Sequence, residues 1–286
     1  MVTIEWAALS AADLPAIAAL ARRCAAHDGG LPATTSESFL GRRYTAGPAV
    51  GAFSEGRLVA CGAVRPVGAV SAATGLVDPD HRGRGLGSGL LDRLTDTADA
   101  TGTAGSVRVE VESVTPQAHE LFLARGYRQT FAEDVFRRDL TAPLPAAPLP
   151  PEVTVEEWSP DTEEDFYQAY SASFADRPGF PGWSREEWID WLVDDEFQPG
   201  CSLVARDGET AVGFVTCVEE FLVQVGAVPA WRRRGLARAL AVAALGRMRA
   251  AGATQVFLDV NVNNPASAAL FRGLGFELIA RRARYE

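Results

Sequence analysis

The feature that most constrains the fold of this chain is an internal repeat of about half its length. The segment VDPDHRGRGLG at 77–87 returns as AVPAWRRRGLA at 227–237, an offset of 150 residues. Further on, EVESVTPQAHELFLARGY at 110–127 returns as DVNVNNPASAALFRGLGF at 259–276, an offset of 149. Two long matches in the same order and at nearly one offset indicate a duplicated domain, in which each copy follows the same pattern of strands and helices.

A proline-rich run, TAPLPAAPLPPE at 141–152, separates the two copies. Its five prolines in twelve residues favour extended, solvated backbone, which is typical of an interdomain linker. Directly after it, VTVE at 153–156 repeats VTIE at 2–5. We therefore predict two domains, the first half at 1–140 and the second half at 153–286.

Each half contains the same series of predicted elements. Apolar stripes predict helices near 11–26 and 161–174, and a further helix follows each arginine-glycine segment. Short helices are expected to begin at Pro116 and Pro265, because proline suits the first turn. Strands are predicted near 48–53, 107–111, 134–140, 201–206, 256–262 and 276–285. Each half is therefore predicted to be a mixed α/β domain.

Composition restricts the partners that this chain is expected to have. Its 286 residues carry a formal net charge of −10, with a pI near 4.9, so a basic face for nucleic acid is not expected. No apolar run reaches the roughly 20 residues that span a bilayer, and Glu5 and Asp13 make the N-terminus unlike a signal peptide. The four scattered cysteines form no CxxC pair, which predicts reduced thiols, a cytoplasmic location and no metal site.

Two arginine clusters contrast with this acidic background. Each lies between a predicted strand and the N-terminus of a predicted helix. We call residues 82–87 the first loop and residues 232–237 the second loop. Helix N-termini carry unpaired N–H groups and a partial positive charge, and glycine lets an anion approach the backbone closely. The pattern predicts a phosphate cradle, whereas GxxxxGK is absent and the glycines do not fit GxGxxG. The predicted phosphate-binding residues are Arg82, Gly83, Arg84, Gly85, Leu86, Gly87, Arg232, Arg233, Arg234, Gly235, Leu236, Ala237 and Arg238.

The spacing R-x-x-G-x-G/A of both loops resembles the pyrophosphate signature of the GNAT acyl-CoA N-acyltransferases. The preceding VDP and AVP and the later NNPASAALFRGLGF match the same family's flanking segments, so the resemblance covers most of each half. It implies two tandem GNAT domains, each a mixed, mostly antiparallel sheet flanked by helices. Two central parallel strands would splay apart and hold acetyl-CoA, or another acyl-CoA, in the gap. The further cofactor contacts that it implies are Leu76, Val77, Val225, Gly226, Ala227, Val228 and Asn264.

The two copies differ where the resemblance places the chemistry. Glu219 and Glu220 precede the second loop's strand, whereas the first half has Ala69 and Val70 there. In this family a carboxylate at that point commonly acts as general base for the attacking amine. The resemblance therefore implies that Glu220, or Glu219, is the base, that the second half is catalytic and that the first half is degenerate. An ordinary solvated strand end is the alternative reading.

The general acid is left open by the sequence. The family often uses a tyrosine that protonates the departing thiolate, but Phe271 and Phe122 occupy its position, and phenylalanine has no proton to donate. Tyr285 on the last strand, a water molecule, or departure of the unprotonated thiolate are the options. Thr115 replaces Asn264 in the first half, which is a further difference between the copies.

The segment DRPGFPGWSREEWIDWLVDDEF at 176–197 lies where GNAT domains build substrate specificity. Phe180 and Trp183 are candidate contacts of a cationic amine, which the neighbouring acidic residues would attract. The alternative is structural: Trp188 and Trp191 are three residues apart on a helix and would pack inward while the acids face water.

The resemblance implies an N-acetyltransferase that moves an acetyl group from acetyl-CoA to a primary amine of a small molecule. Two alternatives stay open at this point. One is a non-catalytic acyl-CoA-binding or scaffold protein, which the missing tyrosines allow, and the other is an acetyltransferase that acts on a protein amine. No metal, nucleic-acid or membrane partner is expected, and the protein is expected to be a monomer or homodimer.

Overall fold

The computed structural model describes residues 3–68, 70–100, 107–177 and 179–286, so Ala69, the counterpart of Glu219, lies outside the described residues. The strands are β1 (Ile4–Leu9), β2 (Ala49–Ser54), β3 (Arg57–Val67), β4 (Val70–Val77), β5 (Arg108–Val111), β6 (Gln129–Asp139), β7 (Val153–Glu157), β8 (Leu203–Asp207), β9 (Thr210–Val218), β10 (Phe221–Ala227), β11 (Gln255–Asn261) and β12 (Glu277–Tyr285). The helices are α1 (Leu14–Asp28), α2 (Glu37–Tyr44), α3 (Leu86–Ala100), α4 (Pro116–Ala124), α5 (Glu163–Phe174), α6 (Arg185–Leu192), α7 (Leu236–Ala250) and α8 (Pro265–Gly273). Residues 141–152, all of them described, form neither helix nor strand.

The chain divides into two compact units, and each contains one of the two loops. Unit 1 comprises Met1–Val135, Asp259–Asn263 and Leu278–Glu286, and unit 2 comprises Phe136–Leu258 and Asn264–Glu277. The units differ from the predicted halves at the closing strands, because most of β12 belongs to unit 1. There it pairs antiparallel with β5. A sequence repeat shows that a closing strand exists, but backbone hydrogen bonding decides which of two similar sheets it joins.

The sheet of unit 1 runs in the order β1-β2-β3-β4-β5-β12. Since alternate residues of a strand face opposite sides, β3 presents Cys61 and Ala63 to α1 and α2, and Ala60 and Val64 to α3. The sheet is therefore covered by helices on both faces. The pairing of β4 with β5 is parallel, while β1 to β4 pair antiparallel.

The sheet of unit 2 repeats this plan in the order β11-β10-β9-β8-β7. On one face α5 and α6 pack an aromatic core against Phe214 of β9, and Tyr170 stacks on Trp188 with ring centroids 4.6 Å apart at 13°. On the other face Leu236 and Leu240 of α7 lie over Gly213. Both units are mixed, mostly antiparallel sheets between helices, which confirms the predicted fold class.

Candidate cofactor and catalytic sites

In each unit the strand that precedes the loop parts from its parallel neighbour. β4 pairs with β5, and β10 with β11, near the start of the strands, and no further pairing between these neighbours is found among the described residues toward the loops. We call the two gaps the first split and the second split, and the paired end of each its vertex. A gap of this kind leaves backbone groups free to bind an extended ligand. The paired positions are Ala72↔Arg108, Ala73↔Val109 and Phe221↔Phe257.

At the open end of each split the loop leads into a helix whose N-terminus is accessible. Gly85 and Gly235 precede α3 and α7 with φ values of +83° and +85°, a conformation that favours glycine. A Cβ built on either glycine would meet no atom within 4 Å. The space above both helix N-termini is thus open, and the N–H groups there have no partner inside the helix. This geometry suits the pyrophosphate of an acyl-CoA.

The first arginine of each loop is held by a carboxylate at the end of α1 or just after α5. Arg82 donates to Asp28 at 2.7 and 2.5 Å, and Arg232 donates to Asp176 at 2.6 and 2.8 Å. Burial works against the charge of Asp28, but the hydrogen bonds from Arg82 and His27, together with the positive charge of Arg82, outweigh it, so the pKa of Asp28 lies below its usual value. The hydrogen bond from Arg232 likewise lowers the pKa of Asp176. Both arginines therefore brace a loop against a helix, and their contact with a phosphate stays a prediction.

The second loop carries both charge and backbone strain. Arg233 is exposed and has φ +64°, at the position where the first loop has Gly83 with φ +71°. Left-handed backbone costs a non-glycine residue about 1–2 kcal/mol. The guanidinium of Arg234 lies 4.7 Å from the ring centroid of Trp231, and Arg238 donates to a backbone carbonyl of α8 at 3.2 Å. Strain of this kind at an exposed cation is typical of a functional site.

A cavity of about 320 Å³ begins at the first loop and runs through the first split. Its lining combines the loop with side chains from both faces of the sheet, and it includes most of the predicted cofactor contacts of the first half. Two predicted contacts of the first half do not line the cavity: Leu86, which is buried, and Arg84, which is exposed. The cavity suits a ligand with a phosphate end and a long, thin chain. The lining residues that matter here are Leu76, Val77, Arg82, Gly83, Gly85, Gly87, Cys24, Tyr44, Leu90 and Leu94.

The predicted contacts of the second split lie along β10 and at the start of α8. Val225, Ala227 and Val228 are half-buried, and Gly226 is buried. Asn264 caps α8, since its Oδ1 accepts from the N–H of Ser267 at 3.1 Å. Thr115 caps α4 in the same way, accepting from the N–H of Ala118 at 3.2 Å. The exchange of Asn264 for Thr115 therefore leaves the helix cap intact. In the second loop Leu236 is buried and Ala237 is half-buried.

Glu219 and Glu220 form the turn between β9 and β10, at the vertex of the second split. The N–H of Phe257 donates to the carbonyl oxygen of Glu220 at 2.8 Å, and Gln255 Nε2 donates to its carboxylate at 3.3 Å. Glu220 is half-buried with φ +51°, whereas Glu219 is exposed. In the first half, Val70 begins an ordinary strand at this position. Of the two candidate bases, Glu220 is the half-buried one, and its carboxylate accepts a hydrogen bond at the vertex.

Tyr285, one option for the general acid of the second half, belongs to unit 1. It is 0% exposed, and its hydroxyl lies 2.8 Å from Nδ1 of His119. Its ring packs on Phe122, with centroids 4.7 Å apart. Phe271 of unit 2 packs instead on Phe276 at 5.4 Å. With Tyr285 engaged in unit 1, water or departure of the unprotonated thiolate are the options for the second split.

The aromatic segment after α5 contributes mainly to the core. Trp188 is 0% exposed, and its Nε1 donates to Gln224 Oε1 at 3.1 Å. Trp191 is 49% exposed, so the alternative expectation of inward packing is confirmed for Trp188 and wrong for Trp191. The two predicted substrate contacts, Phe180 and Trp183, pack at the edge of the aromatic core and stay half-buried.

Residues that the motifs did not reveal also shape these sites. Asp28 and Asp176 brace the loops, and Ser173 lies against β10. The repeat offered a signal for the two aspartates, because 176 minus 28 gives an offset of 148, close to that of the loops. In the part of the chain that the structure describes, no group of three His, Cys, Asp or Glu side chains could hold a metal ion. No helix in that part is long and apolar enough to cross a membrane.

Comparisons with known proteins agree with this architecture. The model of the Acetyltransferase (GNAT) family matches the chain twice, at residues 14–127 and 156–276, so each match contains one loop. A mycothiol acetyltransferase from Thermobispora bispora is 34% identical over 216 residues, which cover 70% of this chain and 70% of that protein. Another, from Acidothermus cellulolyticus, is 31% identical over 235 residues, which cover 75% of this chain and 70% of that protein.

Solved structures share the fold. A GCN5-related N-acetyltransferase from Sphaerobacter thermophilus has a TM-score of 0.77 at 25% identity, covering 99% of this chain and 94% of that one. A tandem GNAT protein from the clavulanic acid biosynthesis pathway has a TM-score of 0.63, covering 99% and 98%; at 17% identity this likeness shows the fold alone. With two loops at two splits and two family matches, the chain belongs to the GNAT family of acetyltransferases, enzymes that use acetyl-CoA.

Proposed function

We propose that the protein transfers the acetyl group of acetyl-CoA to a primary amine of a small molecule, and that the reaction takes place in the second half. The name of the relatives, mycothiol acetyltransferase, supports a small-molecule acceptor. The location is supported by strain in the turn before β10 and in the second loop after it, since Glu220 and Arg233 have positive φ. Val70 and Gly83 stand at these positions in the first half. Strained residues persist where their surroundings hold them, often at functional sites.

The proposed direction of the cofactor follows from the charges at the two ends of the second split. Acetyl-CoA carries its acetyl thioester at one end of a long chain and its phosphates at the other. The second loop, with Arg233, Arg234 and the N-terminus of α7, suits the phosphates. β10 rises about 3.3 Å per residue, so its seven residues extend about 20 Å from the vertex toward the second loop. The thioester end would then lie toward Glu220.

Glu220 is proposed to accept a proton from the amine, because a protonated amine has no lone pair with which to attack the carbonyl carbon. Backbone N–H groups of β10 that no longer pair with β11 are available to the thioester oxygen, where negative charge develops. Holding both reactants in the split removes much of the entropic cost of their encounter. A thiolate is stable enough near neutral pH to leave without a tyrosine.

We also propose that the first half binds acetyl-CoA without catalysing transfer. The cavity of about 320 Å³ that follows its loop supports binding. The valine at position 70 supports the absence of catalysis, because no carboxylate stands there to act as base. The first half would then shape or stabilise the protein rather than turn over substrate.

The acceptor is proposed to be cationic, and the protein to act in the cytoplasm. The acidic residues in and after α6 are exposed, and together they would attract a positively charged amine. The four cysteines are free and buried, which supports a reducing compartment. The state of assembly, monomer or homodimer, stays a prediction. The exposed acids are Glu186, Glu187, Asp190, Asp194, Asp195 and Glu196.

The test of this function compares Glu220→Gln with Glu219→Gln, its exposed neighbour. Release of CoA thiol is followed with a panel of small amines, and with lysine-containing peptides as the rival acceptors. We expect Glu220→Gln to lower kcat about 100-fold or more. Glu219→Gln should keep a kcat close to that of the wild type.

Full turnover in Glu220→Gln would show that another group is the base. Turnover of peptides alone would replace the proposed acceptor with a protein amine. Acetyl-CoA binding with no hydrolysis and no transfer to any amine in the panel would contradict the proposed reaction.

A further inference from the structure

Ser173, in the last turn of α5, has a buried hydroxyl group without a hydrogen-bond partner in the described part of the chain. The residue is 6% exposed. A buried hydroxyl without a partner costs about 1–3 kcal/mol in proteins. Because buried polar groups are almost always satisfied, an orphaned one needs an explanation, and a bound ligand can supply the missing partner.

The hydroxyl lies against the strand that borders the second split. A Cβ on Gly226 would be 2.8 Å from Ser173 Cβ and 3.0 Å from its Oγ, so the glycine is what permits α5 to come so close. Arg232 fixes this end of α5, since its Nη2 donates to the carbonyl oxygen of Ser173 at 3.0 Å and to Asp176. Gly226 lies five residues beyond Phe221, the position that pairs with β11 at the vertex.

The first half provides an independent observation at the same position of the repeat. Cys24 stands at an offset of 149 (173 minus 24) and lines the cavity that runs through the first split. Its Sγ lies 3.5 Å from the carbonyl oxygen of Val77. Burial raises the pKa of this thiol to about 11, so it is neutral and only a weak hydrogen-bond donor. This position therefore faces the ligand space in the half where that space is open.

We propose that Ser173 is a positioning residue for the cofactor. Its Oγ hydrogen-bonds an amide group in the pantetheine arm of acetyl-CoA and so holds the thioester in register with Glu220. The inference rests on the proposed binding of acetyl-CoA in the second split, and it adds a side-chain contact from α5 to the backbone contacts of β10. Cys24 makes the corresponding contact more weakly, so the two halves hold the same cofactor with different affinities.

The test uses the full-length chain with Gly85→Asp, which blocks the first loop. Two ligands are titrated by calorimetry: acetyl-CoA, and 3′-phosphoadenosine 5′-diphosphate, the nucleotide part without pantetheine. Ser173→Ala should weaken acetyl-CoA binding about five- to tenfold and leave the nucleotide unaffected. Ser173→Cys should be intermediate, and Ser171→Ala, on the same helix, should match the parent. The thermal midpoint of the free Ser173→Ala protein should not fall, because an orphaned hydroxyl is removed.

Three outcomes would overturn the contact. If the parent binds acetyl-CoA and Ser173→Ala binds it equally well, Ser173 has no such role, while the proposed function stands. If both ligands weaken together and the thermal midpoint falls, Ser173 serves packing alone. If the Gly85→Asp parent binds no acetyl-CoA, the second split is not a cofactor site, and the proposed function fails together with this inference.

Discussion

At the scale of the residue, the same ion pair positions both loops. Arg82 and Asp28 are 54 residues apart in the chain, and Arg232 and Asp176 are 56 apart. The arginines were predicted as site residues from their place beside glycine, but local spacing does not show that the first of each cluster is bound to a helix end. That assignment needs the packing of α1 and α5 on their sheets. The arginines that follow in each loop are exposed, and their contact with an anion stays a prediction.

Arg233 offers a test of strain at this scale. Arg233→Gly removes a left-handed arginine, so the free energy of unfolding should stay unchanged or rise by up to about 1 kcal/mol. Acetyl-CoA binding at the second loop should nevertheless weaken, because a cation is lost. Urea unfolding and calorimetry measure the two effects.

The matched control is Arg234→Gly. The native Arg234 does not have a left-handed backbone, and its side chain lies on the ring of Trp231. It should lower the free energy of unfolding by about 0.5–1 kcal/mol or more. An equal loss of stability in both variants would mean that Arg233 carries no strain.

At the scale of the element, the last strand is the main departure from a simple tandem repeat. Ala283, Arg284 and Tyr285 of β12 pair with Val111, Glu110 and Val109 of β5. The sequence predicted a strand there, near 276–285, and β12 spans Glu277–Tyr285. Which sheet it joins could not be predicted, because the two halves offer similar partners. The consequence is that Tyr285 serves the core of unit 1.

Tyr285 makes this assignment testable. Tyr285→Phe loses the contact with His119 and should lower the free energy of unfolding by about 1 kcal/mol, with kcat unchanged. Tyr285→Ala should cost about 3–5 kcal/mol, because a buried ring is removed. Leu278→Ala, at a position 50% exposed on the same strand, should change stability by less than about 0.5 kcal/mol. A large fall in kcat for Tyr285→Phe, without a loss of stability, would restore it as a general acid.

At the scale of the whole molecule, duplication provides two loops and two splits on one chain. They have diverged in different ways: the first opens into a cavity, and the second carries strained residues in the turn before its strand and in its loop. Substitutions at Gly85 and Gly235 allow the contributions of the two splits to be measured separately, because each glycine lies in open space at its loop. Aspartate suits both positions, since it tolerates left-handed backbone better than most residues.

The wild-type chain should bind two molecules of acetyl-CoA in a calorimetric titration. Gly85→Asp and Gly235→Asp should each lose one, because a carboxylate repels the pyrophosphate, and Gly235→Asp alone should abolish turnover. Gly85→Asn and Gly235→Asn are the uncharged controls and should bind more tightly than their aspartate counterparts. Turnover lost in Gly85→Asp and kept in Gly235→Asp would move the chemistry to the first half.

The sequence by itself determined the duplication, the two loops, the family and most of the order of the elements, although it did not predict α2. These features depend on local rules: alternation in strands, apolar stripes on helices, and glycine where the backbone turns left-handed beside a helix N-terminus. The repeat strengthened each of these predictions, because the same local pattern occurs in both halves.

The tertiary structure alone decided which distant groups meet. It placed Asp28 on Arg82, set Ser173 against Gly226 and joined β12 to β5. It also decided that the first split opens into a cavity and that Glu220 is half-buried at the second vertex, where its carboxylate accepts a hydrogen bond. The physical reason is that such contacts depend on how whole elements pack and pair, and segments far apart in the chain carry no local record of which partner they will meet.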